Sequence, residues 1–219
     1  MKIKQYVAEG IGTFLLMFIG LGAMVYLSDP LSIAISFGLV YFILFYSLGN
    51  ISGCHFNPII SFSYLINKKI SIGEFFGYLF GQIAGGILGG LLIRIIIPVN
   101  TAYFNTYSTL ACCNGDVIAA IFVEVILSYL FTITFIGANS KSRNKNIRGL
   151  IICGGVIIVA LFSHILNYSI VNPVKALVSS IFSNEYKHIV IFLVAPFVGS
   201  VIGTINFNWF HKKDDEVND

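Results

Sequence analysis

Ser52-Gly53-Cys54-His55-Phe56-Asn57-Pro58-Ile59 and, later in the chain, Asn172-Pro173-Val174 decide how this sequence folds. Each Asn-Pro opens an apolar stretch, 57 to 66 and 172 to 182, of about ten residues, half of what a helix needs to cross a hydrocarbon core of roughly 30 Å. Asn is a favoured N-cap, and Pro fits the first helical position, where its missing N–H costs nothing. Both stretches therefore read as half-helices that enter a membrane and turn back.

The rest of the chain supplies that membrane domain. Of 219 residues, 57% are hydrophobic and 11% charged, and the mean hydropathy is +0.87. Apolar runs of about 20 residues are expected to span at roughly 7 to 27, 32 to 50, 75 to 97, 117 to 138, 148 to 166 and 188 to 209. The first run follows Lys2 and Lys4 but lacks a small-x-small cleavage site, so it reads as a retained helix rather than a secretory leader. The fold class is thus all-α and membrane-embedded, with six transmembrane helices and two re-entrant half-helices. One channel domain covers 1–219, ending in a short cytoplasmic tail at 212–219.

The chain repeats itself. Glu9 precedes Asn57, and Glu124 precedes Asn172, by the same interval (57 − 9 and 172 − 124 are both 48), so one offset of 115 relates the two halves, and Gly22 and Gly137 share it. With three spans in each half, about 1–100 and about 115–211, the second must enter from the opposite face, as in inverted-repeat channels and transporters. The basic residues orient the pair. Ten of the thirteen (Lys2, Lys4, Lys68, Lys69, Lys141, Arg143, Lys145, Arg148, Lys212 and Lys213) fall on the face of the two termini, and Arg94, Lys175 and Lys187 on the other. Basic residues favour cytoplasmic loops, so both termini are expected inside. Distributed this way, they form no patch for nucleic acid.

Two half-helix starts facing each other bring together unpaired N–H groups and about half a positive charge each, a site hostile to cations. Irregular backbone at 51 to 56 and 167 to 171 is tolerable in a membrane only where it is packed in protein or lines a wet cavity, and free carbonyls there would bind a file of water. The residues describe a pore.

The sequence around Asn57 resembles the first signature loop of the aquaporin, or major intrinsic protein, family, and Asn172-Pro173-Val174 the second. Ala8-Glu9-Gly10-Ile11-Gly12-Thr13-Phe14, Ser36-Phe37-Gly38-Leu39 and Gly81-Gln82-Ile83-Ala84-Gly85-Gly86 look like its first three helices. The resemblance implies a passive channel of the plasma membrane, a homotetramer with one pore per subunit, without cofactor, metal or enzymatic activity. Its partners would be water, small neutral solutes and membrane lipid. It implies that Asn57 and Asn172 turn one passing water so that it cannot relay a proton. Glu9, Glu124 and His55 would support the two loops. Ile59 and Val174 stand where the family usually has Ala, a change expected to affect packing.

The same resemblance implies a four-residue filter toward the outer mouth: Phe37, Ala160, Ser169 and Lys175, with His164 in place of Ala160 if the loop before Asn172 carries a gap. Lys175 departs from the family's usual Arg, exchanging a planar fork of donors for a flexible, strongly hydrated ammonium. Ala176 after Lys175, together with the compact chain, favours the water-channel type over the glycerol-facilitator type, whereas a small Ala160 beside an apolar Phe37 favours passage of glycerol.

Other readings are weaker. Ser163 or Ser169 with His164 would be the only hydrolytic pair, and neighbouring Ser and His make no triad. A closed, structural member of the same fold, with Lys175 lying across the filter, is the alternative to conduction. Glycines at 85, 86, 89, 90, 199 and 203 read as close helix contacts. The adjacent Cys112 and Cys113, with Cys54 and Cys153, lack metal-ligand spacing. Cys54, next to the loop, is a candidate for mercurial sensitivity. Asn167-Tyr168-Ser169 matches a glycosylation sequon by chance.

Overall fold

The computed structural model describes residues 2–97, 116–140, 144–166, 171–184 and 186–211. Ser169, the sequon, Cys112, Cys113, Lys141, Arg143 and the tail at 212–219 lie outside them. Six helices are long and apolar enough to cross a membrane: α1 (Lys2–Tyr26), α2 (Pro30–Ser52), α4 (Ile72–Ile96), α5 (Val117–Ala138), α6 (Arg148–Leu166) and α8 (Ile189–His211). Among the described residues there are also two short α-helices, α3 (Pro58–Ile66) and α7 (Pro173–Ser183).

Local chemistry sets the ends. Asp29 caps α2 by accepting from the Ser32 amide at 2.8 Å and the Ser32 hydroxyl at 2.7 Å. These bonds hold the Asp29 carboxyl below the usual carboxylate range. α4 begins three residues before the expected 75 because Ser71 and Glu74 form a reciprocal capping box there. α1 begins at Lys2 rather than 7, and the Lys2 ammonium lies 3.6 Å from Glu74, tying the first turns of α1 and α4 together. At α3 and α7 the Asn is the cap and the Pro the first helical residue.

α1 packs on α4, α5 on α8, and α2 on α6. Glycine makes the first two contacts close. A Cβ on Gly85 would sit 2.0 Å from the Gly10 carbonyl oxygen, and one on Gly199 would sit 2.2 Å from that of Val125. Without a hydrophobic force between helices in lipid, backbone proximity of this kind supplies the packing energy. Polarity points inward: Glu9, Gln82 and Glu124 are fully buried, while Phe80, Leu88 and Ile95 on α4 are 76%, 56% and 68% exposed. A continuous apolar outer surface of this extent needs lipid around it.

Six crossings return the chain to the face on which it starts. The segment 53–57 leaves α2 on that face and climbs to the middle, where α3 begins; α6 ends at Leu166 toward the opposite face, and α7 starts at Pro173. The half-helix N-termini therefore meet inside the bundle.

Candidate functional site

Gly53 ends α2 in the left-handed conformation (φ 86°). Cys54 and Phe56 follow with φ of 55° and 46°, unusual for residues with side chains. Such a backbone persists only when its surroundings hold it. Glu9 does so. Its Oε1 accepts from the His55 amide at 2.9 Å, its Oε2 from the Phe56 amide at 2.7 Å, and Oε2 also from Gln82 Nε2 at 2.8 Å. Gln82 Nε2 also donates to Ser61 Oγ at 3.0 Å, which lies 3.0 Å from His55 Nδ1. The His55 ring is packed against Tyr64 and Tyr78, with centroids at 4.4 and 5.0 Å. In the second half, Val171 (φ 52°) donates its amide to Glu124 Oε2 at 3.1 Å. At the offset of 115, Gln82 and Ser61 correspond to Phe197 and Ala176, so that part of the first network is not repeated.

Asn57 and Asn172 form a reciprocal pair. Each Oδ1 caps its own half-helix, accepting from Ile59 N at 3.1 Å and Val174 N at 3.0 Å. Each Nδ2 crosses to the other loop: Asn57 donates to the Val171 carbonyl and Asn172 to the Phe56 carbonyl, both at 3.0 Å. A primary amide has two N–H groups, so one remains on each Asn, and both residues line a cavity of about 80 Å³. That is room for several water molecules. Behind the pair, Ile59 and Val174 are buried. Space for Val174 comes from Gly86, where a Cβ would lie 2.4 Å from Val174 Cγ1.

Toward the face opposite the termini the cavity is lined by Phe37, Ala160, Ser163, His164 and Lys175. The Lys175 ammonium lies 5.4 Å from the Phe37 ring centroid, within cation–π range, so the side chain leans across the mouth. Ala160 and His164 are one helical turn apart on α6 and share a face, so both line the cavity and neither excludes the other. The other end is formed by Leu16, Tyr41, Phe131 and Val156.

Two expectations change. Four of the carbonyls of 51 to 56 are not left free: Ser52 O accepts from Tyr78 at 2.7 Å, Cys54 O and His55 O from Tyr41 at 2.6 and 2.8 Å, and Phe56 O from Asn172. Tyr41 and Tyr78 lie 13 and 26 positions from the carbonyls they reach, and only the folded bundle brings them there. Cys54 is fully buried, with its thiol 3.3 Å from the Leu44 carbonyl, away from the cavity. The cavity residues Leu16, Tyr41, Phe131 and Val156 carry no motif, yet the repeat would have paired them, since the offset of 115 relates Leu16 to Phe131 and Tyr41 to Val156. Gln82 offered a different signal, a polar residue inside an apolar span.

Six apolar spans, with two half-helices meeting Asn to Asn over a central cavity, define a membrane channel architecture. The model of the major intrinsic protein family matches residues 1–207, and the chain belongs to that family. It is 30% identical to the glycerol uptake facilitator protein-like 6 of Lactiplantibacillus plantarum over 91% of this chain and 94% of that protein. It is 25% identical to the aquaporin Z of Bradyrhizobium diazoefficiens, covering 97% and 95% of the two. Its fold matches the X-ray structure of the aquaglyceroporin from Plasmodium falciparum with a TM-score of 0.76 and 24% identity, over 97% and 96% of the chains. The protein is a multi-pass membrane protein of a channel family, not an enzyme. The comparisons do not separate the subtypes, because an aquaporin and a glycerol uptake facilitator-like protein both match along nearly the whole chain.

Proposed function

We propose that this chain is a passive channel for water and small uncharged solutes, excluding ions and protons at the Asn57–Asn172 pair. One observation carries the reading: both amides, each fixed to its own half-helix and to the opposite loop, line one cavity and have one N–H each left for a ligand. A water oxygen accepting there is held between two helix N-termini, each worth about half a positive charge, where neither a cation nor a relayed proton is stabilised. Phe37, Ala160, Ser169 and Lys175 act as the outer filter, with His164 one turn beyond Ala160. Glu9, Glu124 and His55 hold the loops. The single domain is oriented with both termini in the cytoplasm, resides in the plasma membrane and assembles as a tetramer.

Water is the principal permeant in this reading, supported by Ala176 after Lys175 and the compact chain. Glycerol is the second, favoured by Ala160, whose methyl leaves the filter wide, and by the resemblance to a glycerol facilitator-like protein. Light scattering from proteoliposomes separates them. Shrinkage faster than empty lipid under an impermeant osmolyte establishes water conduction; rapid reswelling in glycerol adds the second solute. A folded protein that matches empty lipid in both removes the reading and leaves a structural membrane protein of this fold.

A further inference from the structure

The cavity is one-sided. It reaches from Lys175 past both Asn residues to Leu16, Tyr41, Phe131 and Val156, and no residue of 52–56 lines it. These four residues are two pairs related by the offset of 115, Leu16 with Phe131 and Tyr41 with Val156. Three of them carry hydrocarbon side chains. Tyr41 alone has a polar atom, and it is bulkier than Val156, its counterpart.

That phenol is fully engaged. Tyr41 is 2% exposed, and its hydroxyl lies 2.6 Å from the Cys54 carbonyl and 2.8 Å from the His55 carbonyl, its single proton shared between them. The ring is wedged between Phe56 and Phe131, at centroid distances of 5.4 and 6.3 Å. Cys54 and His55 precede Asn57, so their carbonyls lie on the side of the Asn pair toward the termini. Their amides cannot turn away, because Glu9 holds the N–H groups of His55 and Phe56. A solute leaving the Asn pair in that direction therefore meets an aromatic ring whose hydroxyl already occupies the acceptors it would use.

Resting on the channel reading, we propose that Tyr41 is the inner constriction of this pore, a residue that limits flux by binding the Cys54 and His55 carbonyls in place of the permeant. Passage requires the phenol to release them. Once released, the same carbonyls accept from water or from the hydroxyls of a small polyol, so the exchange favours permeants with O–H donors.

The test is osmotic water permeability of proteoliposomes, per reconstituted protein, for the parent, Tyr41→Phe, Tyr41→Val and Tyr46→Phe. Tyr46 is a control: its hydroxyl bonds the Asn146 carbonyl outside the cavity. Removing the hydroxyl but keeping the ring abolishes the two carbonyl bonds, so Tyr41→Phe should conduct about three- to tenfold faster than the parent, as expected for losing one or two neutral hydrogen bonds. Tyr41→Val, matching Val156, should be faster still, and Tyr46→Phe unchanged. A parent at the level of empty lipid with conducting Tyr41 variants equally supports the constriction. A conducting parent with Tyr41 variants no faster overturns the constriction and leaves the channel reading intact. If the parent and all variants match empty lipid although Tyr41→Phe elutes and melts like the parent, the constriction and the channel reading both fall.

Discussion

Replacing Glu9 tests whether one buried carboxyl organises the first loop. In Glu9→Leu the amides of His55 and Phe56 and the Nε2 of Gln82, now at 2.9, 2.7 and 2.8 Å from carboxyl oxygens, lose their acceptor. Each orphaned buried donor costs about 1–3 kcal/mol, and burial of a leucine side chain returns about 1.5–3 kcal/mol. Taking the middle of each range, the net loss is about 4 kcal/mol. For a chain of this size each kcal/mol moves the melting temperature by about 2–4 °C, so melting in detergent should fall by about 8–16 °C. Glu9→Gln behaves differently. With its Oε1 in the place of the present Oε2 it keeps the Phe56 amide and the Gln82 Nε2 as donors. The His55 amide then faces an N–H group instead of an acceptor, and the fall should be about 1–3 kcal/mol. Thermal melts of the purified protein, followed by reconstitution, read both. If Glu9→Leu melts within 2 °C of the parent and conducts equally, the loop does not depend on Glu9 and the reasoning fails.

Gly85→Ala should separate α1 from α4, because the added Cβ meets the Gly10 carbonyl oxygen at 2.0 Å and backbone cannot yield; a melting temperature unchanged from the parent would contradict it. Ala160→His fills the cavity wall beside Phe37 and should lower any glycerol reswelling at least tenfold while sparing water, a loss of about 1.4 kcal/mol or more in the barrier balance; equal glycerol flux would remove Ala160 from the filter. Lys175→Arg keeps the charge but adds a rigid fork of donors, so cation leak should stay at the lipid level, and it should stay there in Lys175→Met too, because the Asn57–Asn172 pair is untouched; a cation conductance in Lys175→Met across planar bilayers would move the exclusion from the Asn pair to Lys175. Cys54→Ser should respond to mercurials as the parent does, since the thiol faces the Leu44 carbonyl rather than the cavity; relief of an inhibition seen in the parent would place it in the lumen.

The architecture was legible because it rests on local signals that repeat. An Asn that caps and a Pro at the first helical position specify a helix start wherever they occur, and the half-helices begin at Pro58 and Pro173. Five of the six spans begin within three residues of their apolar runs, and α5 and α6 match them at both ends. α1 deviates most, since its first turn lies outside the apolar run and is joined to α4 through Lys2 and Glu74. Glycine spacing also carried information, because a missing side chain matters only where another backbone approaches. Beyond the two glutamates, the side chains that bond the first loop were not legible. Nothing local in Tyr41, Tyr78 or Gln82 says which carbonyl or carboxylate it will face, and those pairings span 13, 26 and 73 positions.

The symmetry of the two halves lies in the backbone, and their difference lies in side chains. Both loops lean on a buried glutamate, and both half-helices are capped by an Asn that reaches the opposite loop. The first loop is anchored by Gln82 and Ser61 and covered by Tyr41, positions at which the second half has Phe197, Ala176 and Val156. A pore built from two equal loops would be equally open on both sides of the Asn pair. Here the cavity reaches Ala160, His164 and Lys175 on one side and stops at Tyr41 and Phe131 on the other. Under the proposed channel reading, selection among neutral solutes is thus divided: width is set beside Ala160 and Lys175 at one mouth, and hydrogen-bonding capacity by Tyr41 at the other.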